Sequence, residues 1–185
     1  MKRVLVPVAD GFEEIETVTI IYVLRRAGLE VVVAGIKSGE LIGSRKIKLI
    51  PDAMLDQISG QEFDAVVLPG GQPGVDNLRR NASVIKILQN MNSQKKLVGA
   101  ICAAPLALRD AGLISGLKLT SHPSVENDLA GSHYEKTRVV IDGNIVTSRG
   151  PGTAMEFALK LVEILVGSQK VRELEDAMLT RQGNK

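Results

Sequence analysis

The run Leu97-Val98-Gly99-Ala100-Ile101-Cys102-Ala103-Ala104-Pro105 passes from a continuous apolar strand straight into a proline-led helix, with the chain's single cysteine at the junction. Its apolar residues are consecutive rather than alternating, so the strand is buried on both faces, as in a parallel sheet covered by helices. Val4–Val8, Leu29–Gly35 and Ala65–Leu68 have the same character. Between them, Glu13–Ala27, Val75–Asn90 and Ala104–Ala111 read as helices or helix pairs. Strand, helix, strand in series predicts parallel strands joined by right-handed crossovers, hence an α/β sandwich with helices on both faces of a mostly parallel sheet. Later, Arg138–Ile141 and Asn144–Thr147 flank Asp142-Gly143, which predicts a hairpin at a sheet edge. Thr153–Val166 reads as an amphipathic helix, and Gln169–Leu179 as another, with Val171, Leu174 and Met178 on one stripe. Gln182 to Lys185 reads as a frayed tail.

At 185 residues the chain is expected to be one domain spanning 1–185. Hydrophobic residues at 44% and charged residues at 24% exclude a disordered chain. A net charge of +2 gives no electrostatic case for nucleic acid or an anionic membrane as main partner. Aromatic residues at 3%, with no Trp, leave nothing on which single-stranded bases would stack. Cys102 alone allows no intrachain disulfide and fits a reducing, cytoplasmic setting. The apolar start, Val4-Leu5-Val6, is too short for a signal peptide, and no stretch reaches the roughly 18 apolar residues of a membrane span. Asn81-Ala82-Ser83 matches a glycosylation acceptor, but Asn81 reads better as a turn or helix start.

In an open parallel sheet, ligands bind beyond the carboxyl ends of the strands. The loops that gather there are Ala9–Phe12, Pro69–Gly74, Cys102–Pro105 and the segment around Ser121-His122-Pro123. Cys102 has small neighbours on both sides and a helix start beyond it, which is the layout of a nucleophile elbow. A helix N-terminus favours the thiolate, so the thiol is expected below its ordinary pKa of about 8.5. With 100° per residue, Phe12, Glu16, Ile20, Val23 and Ala27 share one stripe, so Glu16 faces the sheet, one turn into the helix and near the same edge. A carboxyl group there needs a partner or a raised pKa. Glu13 and Glu14 suit the helix dipole of the first turn. Ile15, Val18, Ile21 and Tyr22 make the other side of this helix apolar as well, predicting a homodimer through it.

His122, after the apolar run Leu117–Thr120, is the better placed of the two histidines. His133-Tyr134-Glu135 formally matches the His-x-Glu pair of glutamine amidotransferases, but it lies in a polar stretch soon after the cysteine, with no strand to deliver it to the loop edge. Gly70-Gly71 can present backbone N–H groups to an oxyanion, and the segment Arg149–Thr153, with Pro151, can form a pocket wall. No cluster has metal-ligand spacing, so no metal is expected, and neither Gly-x-x-x-x-Gly-Lys nor Gly-x-Gly-x-x-Gly occurs, so no nucleotide cofactor is expected either.

Together, Gly11–Glu16, Val67–Gly71, Ala100–Pro105, Thr120–Pro123 and Thr147–Thr153 resemble, in order and over nearly the whole chain, the ThiJ/PfpI superfamily. Within it they are most similar to the branch of the parkinsonism-associated protein deglycase and its bacterial relatives. The resemblance implies a flavodoxin-like sandwich and a homodimer. It places Glu16 in hydrogen-bond contact with Cys102, with His122 nearby. The amides of Gly71 and Ala103 would form an oxyanion pocket, and Arg45 would approach the partner's site. It further implies a cysteine-dependent glyoxalase or deglycase acting on methylglyoxal, glyoxal or their early adducts on protein or nucleotide amines. The alternative is an oxidative-stress sensor or chaperone that works through a Cys102 sulfinic acid. The superfamily's protease-like branches place a His directly after the nucleophile; here Ala103 stands there, which leaves a peptidase or amidotransferase-like hydrolase remote.

Overall fold

The computed structural model describes residues 1–58 and 62–180; the expected tail at Gln182–Lys185 lies outside them. In chain order the elements are β1 (Arg3–Val8), α1 (Glu14–Arg26), β2 (Glu30–Gly35), β3 (Leu41–Ile42), β4 (Lys48–Leu49), β5 (Ala53–Met54), β6 (Ala65–Leu68), α2 (Gly74–Arg80), α3 (Ala82–Ser93), β7 (Leu97–Ile101), α4 (Pro105–Asp110), β8 (Lys118–Leu119), β9 (His133–Tyr134), β10 (Val139–Asp142), β11 (Ile145–Ser148), α5 (Ala154–Leu165) and α6 (Ser168–Met178). The main sheet has seven strands in the order β10-β11-β7-β6-β1-β2-β5. Every pairing is parallel except β10 with β11. This is the flavodoxin-like α/β sandwich that the apolar strand runs imply.

Two cores explain why those runs are uninterrupted. Val4, Val6 and Val8 pack with Ile20, Val23 and Leu24 of α1 and with Phe157 and Leu161 of α5 on one face. Leu5, Val66, Leu68 and Val98 pack with Leu78 of α2, Leu88 of α3 and Leu108 of α4 on the other. Gly99 belongs to this fit: a Cβ there would stand 3.1 Å from the Phe157 ring and from Val67. Chain order reverses between β1, which leads to β2 on one side, and β6, which leads to β7 on the other. A crevice must open at such a switch point, beyond the carboxyl ends of the strands.

Several boundaries differ from the sequence expectation. Phe12 precedes α1, although it is buried, 1% exposed, on the same side as Glu16. Val75–Asn90 is a helix pair, as the sequence allowed, parted at Asn81, whose side chain accepts from the N–H groups of Ser83 and Val84 and so caps α3 as the expected helix start. The hairpin turns at Gly143-Asn144 rather than Asp142-Gly143: Asp142 pairs with Ile145, and its carboxylate accepts from the Lys118 N–H at 2.8 Å. That anchor to β8 keeps Asp142 in the strand and leaves Gly143, at φ +57°, to make the turn. In α6, Leu174 is buried, with Val171 and Met178 packed partly beside it. No helix among the described residues is long and apolar enough to cross a membrane.

Candidate active site

Cys102 follows the last residue of β7 with φ at +64°, the left-handed region that an L residue occupies only when held there. Its N–H donates to the Ser148 carbonyl at 3.0 Å, and its own carbonyl accepts from the His122 N–H at 2.9 Å. The end of the neighbouring strand β11 and the loop that follows β8 thus hold the elbow between them.

Glu16 reaches the same point from the first turns of α1. It is completely buried, and its Oε2 accepts from the Gly70 N–H at 2.8 Å. Gly70 has to be glycine here: a Cβ would stand 2.5 Å from the Cys102 Cβ and 2.6 Å from the Glu16 Oε2. The Gly70 carbonyl in turn accepts from the Glu13 N–H, while the Glu13 side chain accepts from the Glu16 N–H and caps α1. Gly71, at φ +97°, packs so close to the Glu13 backbone that a Cβ would meet its nitrogen at 2.3 Å. Loops that are far apart in sequence are thereby locked into one crevice at the switch point.

The electrostatics differ from the expected thiolate. Burial, the Glu16 charge and the Glu16 hydrogen bond push the Cys102 thiol up to about 12, against smaller help from the N–H groups of Gly71 and Ala103. Helix α4 has only six residues, and its N-terminal field does not overcome desolvation beside a carboxylate. Burial also raises Glu16, to about 7, with the Glu13 charge adding to it; the Gly70 and Cys102 hydrogen bonds oppose the rise. The pair therefore releases one proton near neutrality and holds the other far into the alkaline range.

The other expected site residues are placed as follows. The N–H groups of Gly71 and Ala103 both favour the Cys102 thiolate. Gly70 does not join them, because its N–H is committed to Glu16. His122 joins the site through its main chain; its exposed ring binds Ser124 through Nδ1 at 2.7 Å, and its Cδ2 edge flanks Gly150. A Cβ on Gly150 would be 3.7 Å from that edge and 3.9 Å from the Glu16 Oε1, a buried atom with no hydrogen-bond partner among the described residues. Half-buried Pro151 opens the turn next to Gly150. Arg45 lies on the turn between β3 and β4, exposed, with its guanidinium on the Ser44 carbonyl. His133, expected on no strand, stands on the two-residue strand β9, paired with Lys118 of β8 outside the main sheet, and is exposed.

Sequence reading missed three contributors. Glu14 is 5% exposed and anchors the β3–β4 turn, accepting from the Ser44 hydroxyl at 3.0 Å and from the Arg45 N–H. Burial disfavours its charge, but these hydrogen bonds, its own N–H and the Ile47 N–H outweigh burial and hold the carboxyl below its ordinary range. Ser148 receives the Cys102 N–H, and Thr153 ties Ser148 to Gly150 through its hydroxyl, at 2.7 Å from the Ser148 Oγ and 2.9 Å from the Gly150 carbonyl. Glu14 lacks any periodic signal, because what buries it is a loop. The motif Thr147–Thr153 already contained Ser148 and Thr153, without showing which atoms would meet.

Residues 2–164 match the model of the DJ-1/PfpI family. The chain is 45% identical to the protein dj-1beta of Drosophila melanogaster over 181 residues, which cover 96% of this chain and 97% of that one. It is 36% identical over 173 residues to the glutathione-independent glyoxalase DJR-1.2 of Caenorhabditis elegans, covering 92% and 91% of the two chains. The crystal structure of Drosophila melanogaster DJ-1beta superposes with a TM-score of 0.94 at 44% identity, over 96% of this chain and 97% of that one.

Proposed function

The chain belongs to the DJ-1/PfpI family, and from that membership together with the Cys102–Glu16 pair we propose that it is a glutathione-independent glyoxalase or deglycase acting on methylglyoxal, glyoxal or their early adducts on amines. One observation carries the reading: a cysteine held in a left-handed elbow stands beside a completely buried carboxyl, the Cys102 Cβ and the Glu16 Oε2 flanking the same glycine, Gly70. A relative named as a glutathione-independent glyoxalase supports it.

A carboxylate against a thiol is a base beside a nucleophile, so a preformed thiolate is not required. Cys102 sulfur attacks the aldehyde carbon as its proton passes to Glu16, and the carbonyl oxygen takes up a proton to give a hemithioacetal. The N–H groups of Gly71 and Ala103 stabilise the oxyanion on the way. Glu16 then removes the proton from the former aldehyde carbon, the former ketone oxygen takes up a proton to give an enediol, and a proton returns to the neighbouring carbon as the hemithioacetal hydroxyl loses its own. The product is a thioester carrying a hydroxyl group. Water cleaves it, releasing the 2-hydroxy acid and restoring the thiol; methylglyoxal plus water becomes lactate. An acid–base group near 7 suits both directions of this transfer. In this reading His122, whose ring edge lies beside Gly150, flanks the substrate, and Pro151 walls it.

The test is steady-state turnover of methylglyoxal without glutathione, with D- and L-lactate assayed as products. Lactate formation is expected; its absence overturns the reading. The same pair would then serve the sensor role, with Glu16, which keeps its proton to about 7, donating to a Cys102 sulfinate. Intact mass after peroxide would read that outcome.

The assembly proposed is a homodimer through α1. Ile15, Val18 and Tyr22 are 58%, 51% and 50% exposed, Ile21 is half-buried, and Ile47 and Ile50 extend the apolar surface from the β3–β4 region. A partner seated there would bring its β3–β4 turn, and with it Arg45, toward the site. Val18→Arg is expected to weaken dimerisation by at least about 100-fold, because a guanidinium would be buried without a partner. Sedimentation of wild type and variant checks this, and a monomeric wild type at tens of micromolar would sink the proposal.

A further inference from the structure

Two main-chain hydrogen bonds hold Cys102 in its left-handed conformation, and one of them comes from the peptide unit that joins Ser121 to His122. That unit is planar, with its N–H and C=O pointing in opposite directions. Its N–H binds the Cys102 carbonyl at 2.9 Å. Its C=O, on Ser121, accepts from the Tyr134 hydroxyl at 3.0 Å. The Tyr134 oxygen also lies 3.1 Å from the Ser121 hydroxyl, whose proton is directed to the His122 carbonyl at 3.0 Å. Ser121 is completely buried, so no bulk water competes for this carbonyl.

We propose that Tyr134 is a positioning residue for Cys102: by hydrogen bonding the Ser121 carbonyl, it holds and polarises the peptide whose N–H pins the nucleophile's own carbonyl. A hydrogen bond accepted at a peptide oxygen makes the N–H of that peptide a stronger donor, and chains of such bonds reinforce one another in a low-dielectric interior. Tyr134 is delivered by β9, whose partner β8 leads directly into Thr120-Ser121-His122. Thr120 is tied in the same way to the main sheet, its N–H donating to the Thr147 Oγ1 at 2.9 Å. The small β8–β9 sheet thus acts as a bracket, and Tyr134 is its contact with the elbow. The phenol does not meet substrate in this scheme; it acts only through Cys102.

Only the turnover readout rests on the glyoxalase reading, so two further measurements accompany it. Tyr134→Phe, Ser121→Ala and wild type are compared in kcat and KM for methylglyoxal, in the rate of Cys102 alkylation by iodoacetamide across pH, and in melting temperature. Tyr134→Phe is expected to lower kcat and the alkylation rate by about two- to tenfold, the range set by one net hydrogen bond, with KM unchanged. Ser121→Ala, which keeps the Ser121 carbonyl and its bond from Tyr134 and loses only the hydroxyl with its bond to the His122 carbonyl, is expected to stay within about twofold of wild type. The proposal is overturned if Tyr134→Phe matches wild type in kcat and alkylation, or if Ser121→Ala loses as much. It is equally overturned if the loss disappears on cooling in step with regained stability. A wild type that shows no turnover would defeat the glyoxalase reading alone, because alkylation would still decide the role of Tyr134.

Discussion

Replacing Glu16 by glutamine is expected to slow methylglyoxal turnover by about 10²–10⁴-fold, the usual contribution of a positioned acid–base group, while making the fold more stable at pH 8 relative to pH 4. The two effects come from one carboxyl. Burial raises Glu16 from 4.5 to about 7 in the folded chain, so between those values the folded state holds a proton that the unfolded state has lost. Stability contributed by the protonated form is complete below 4.5 and falls as pH rises toward 7. Above 7 the folded protein carries an ionised carboxylate inside the crevice, at a penalty of about 3 kcal/mol. Glutamine cannot ionise, and its carbonyl can still accept from the Gly70 N–H. The stability difference between variant and wild type should therefore move by about 3 kcal/mol in the variant's favour from pH 4 to pH 8. Urea unfolding of both proteins at the two pH values measures it. A constant difference would show that Glu16 keeps its ordinary pKa of about 4.5 in the folded chain and would remove the acid–base role assigned to it.

Cys102→Ser is expected to reduce turnover by at least about 10³-fold, since an alcohol in this place is a far weaker nucleophile and Glu16 at about 7 is too weak a base to activate it. The fold should persist, because serine can keep the left-handed backbone and the hydrogen bonds to Ser148 and His122. In wild type, kcat/KM should rise with pH about a midpoint near 7. Below it the pair holds both protons, and above it one proton is shared between sulfur and carboxylate. The second proton, held to about 12, lies beyond the working range. A pH profile measured on methylglyoxal, with lactate as product, tests this. A midpoint near the ordinary thiol value of about 8.5 would mean that Cys102 titrates without Glu16.

The reading of Cys102 shows where sequence stops. Leu97–Ile101 running into Pro105 was enough to place the cysteine on an elbow, because small residues and a proline constrain the backbone locally. Helical phase was likewise enough to bury Glu16. The charge state that followed from the elbow was wrong in direction. Proximity of a helix start is visible in sequence, whereas the depth of burial and the carboxylate at the thiol come from residues distant along the chain. Glu14 makes the same point in reverse: it read as a first-turn acid suited to the helix dipole, and it is the buried anchor of a loop about thirty positions away.

By itself the sequence determined the parallel sheet, its helical cover and the two residues of the pair. Those depend on periodicity, turn chemistry and the sign of hydrophobicity, all carried by neighbours in the chain. The tertiary structure alone decided the hairpin register, the hold of Ser148 and of the Ser121–His122 peptide on Cys102, the commitment of the Gly70 N–H to Glu16, and the proton distribution of the pair. Each of these depends on which groups lose water together and which hydrogen bond replaces it, and that is fixed only when segments from across the chain meet at the switch point of the sheet.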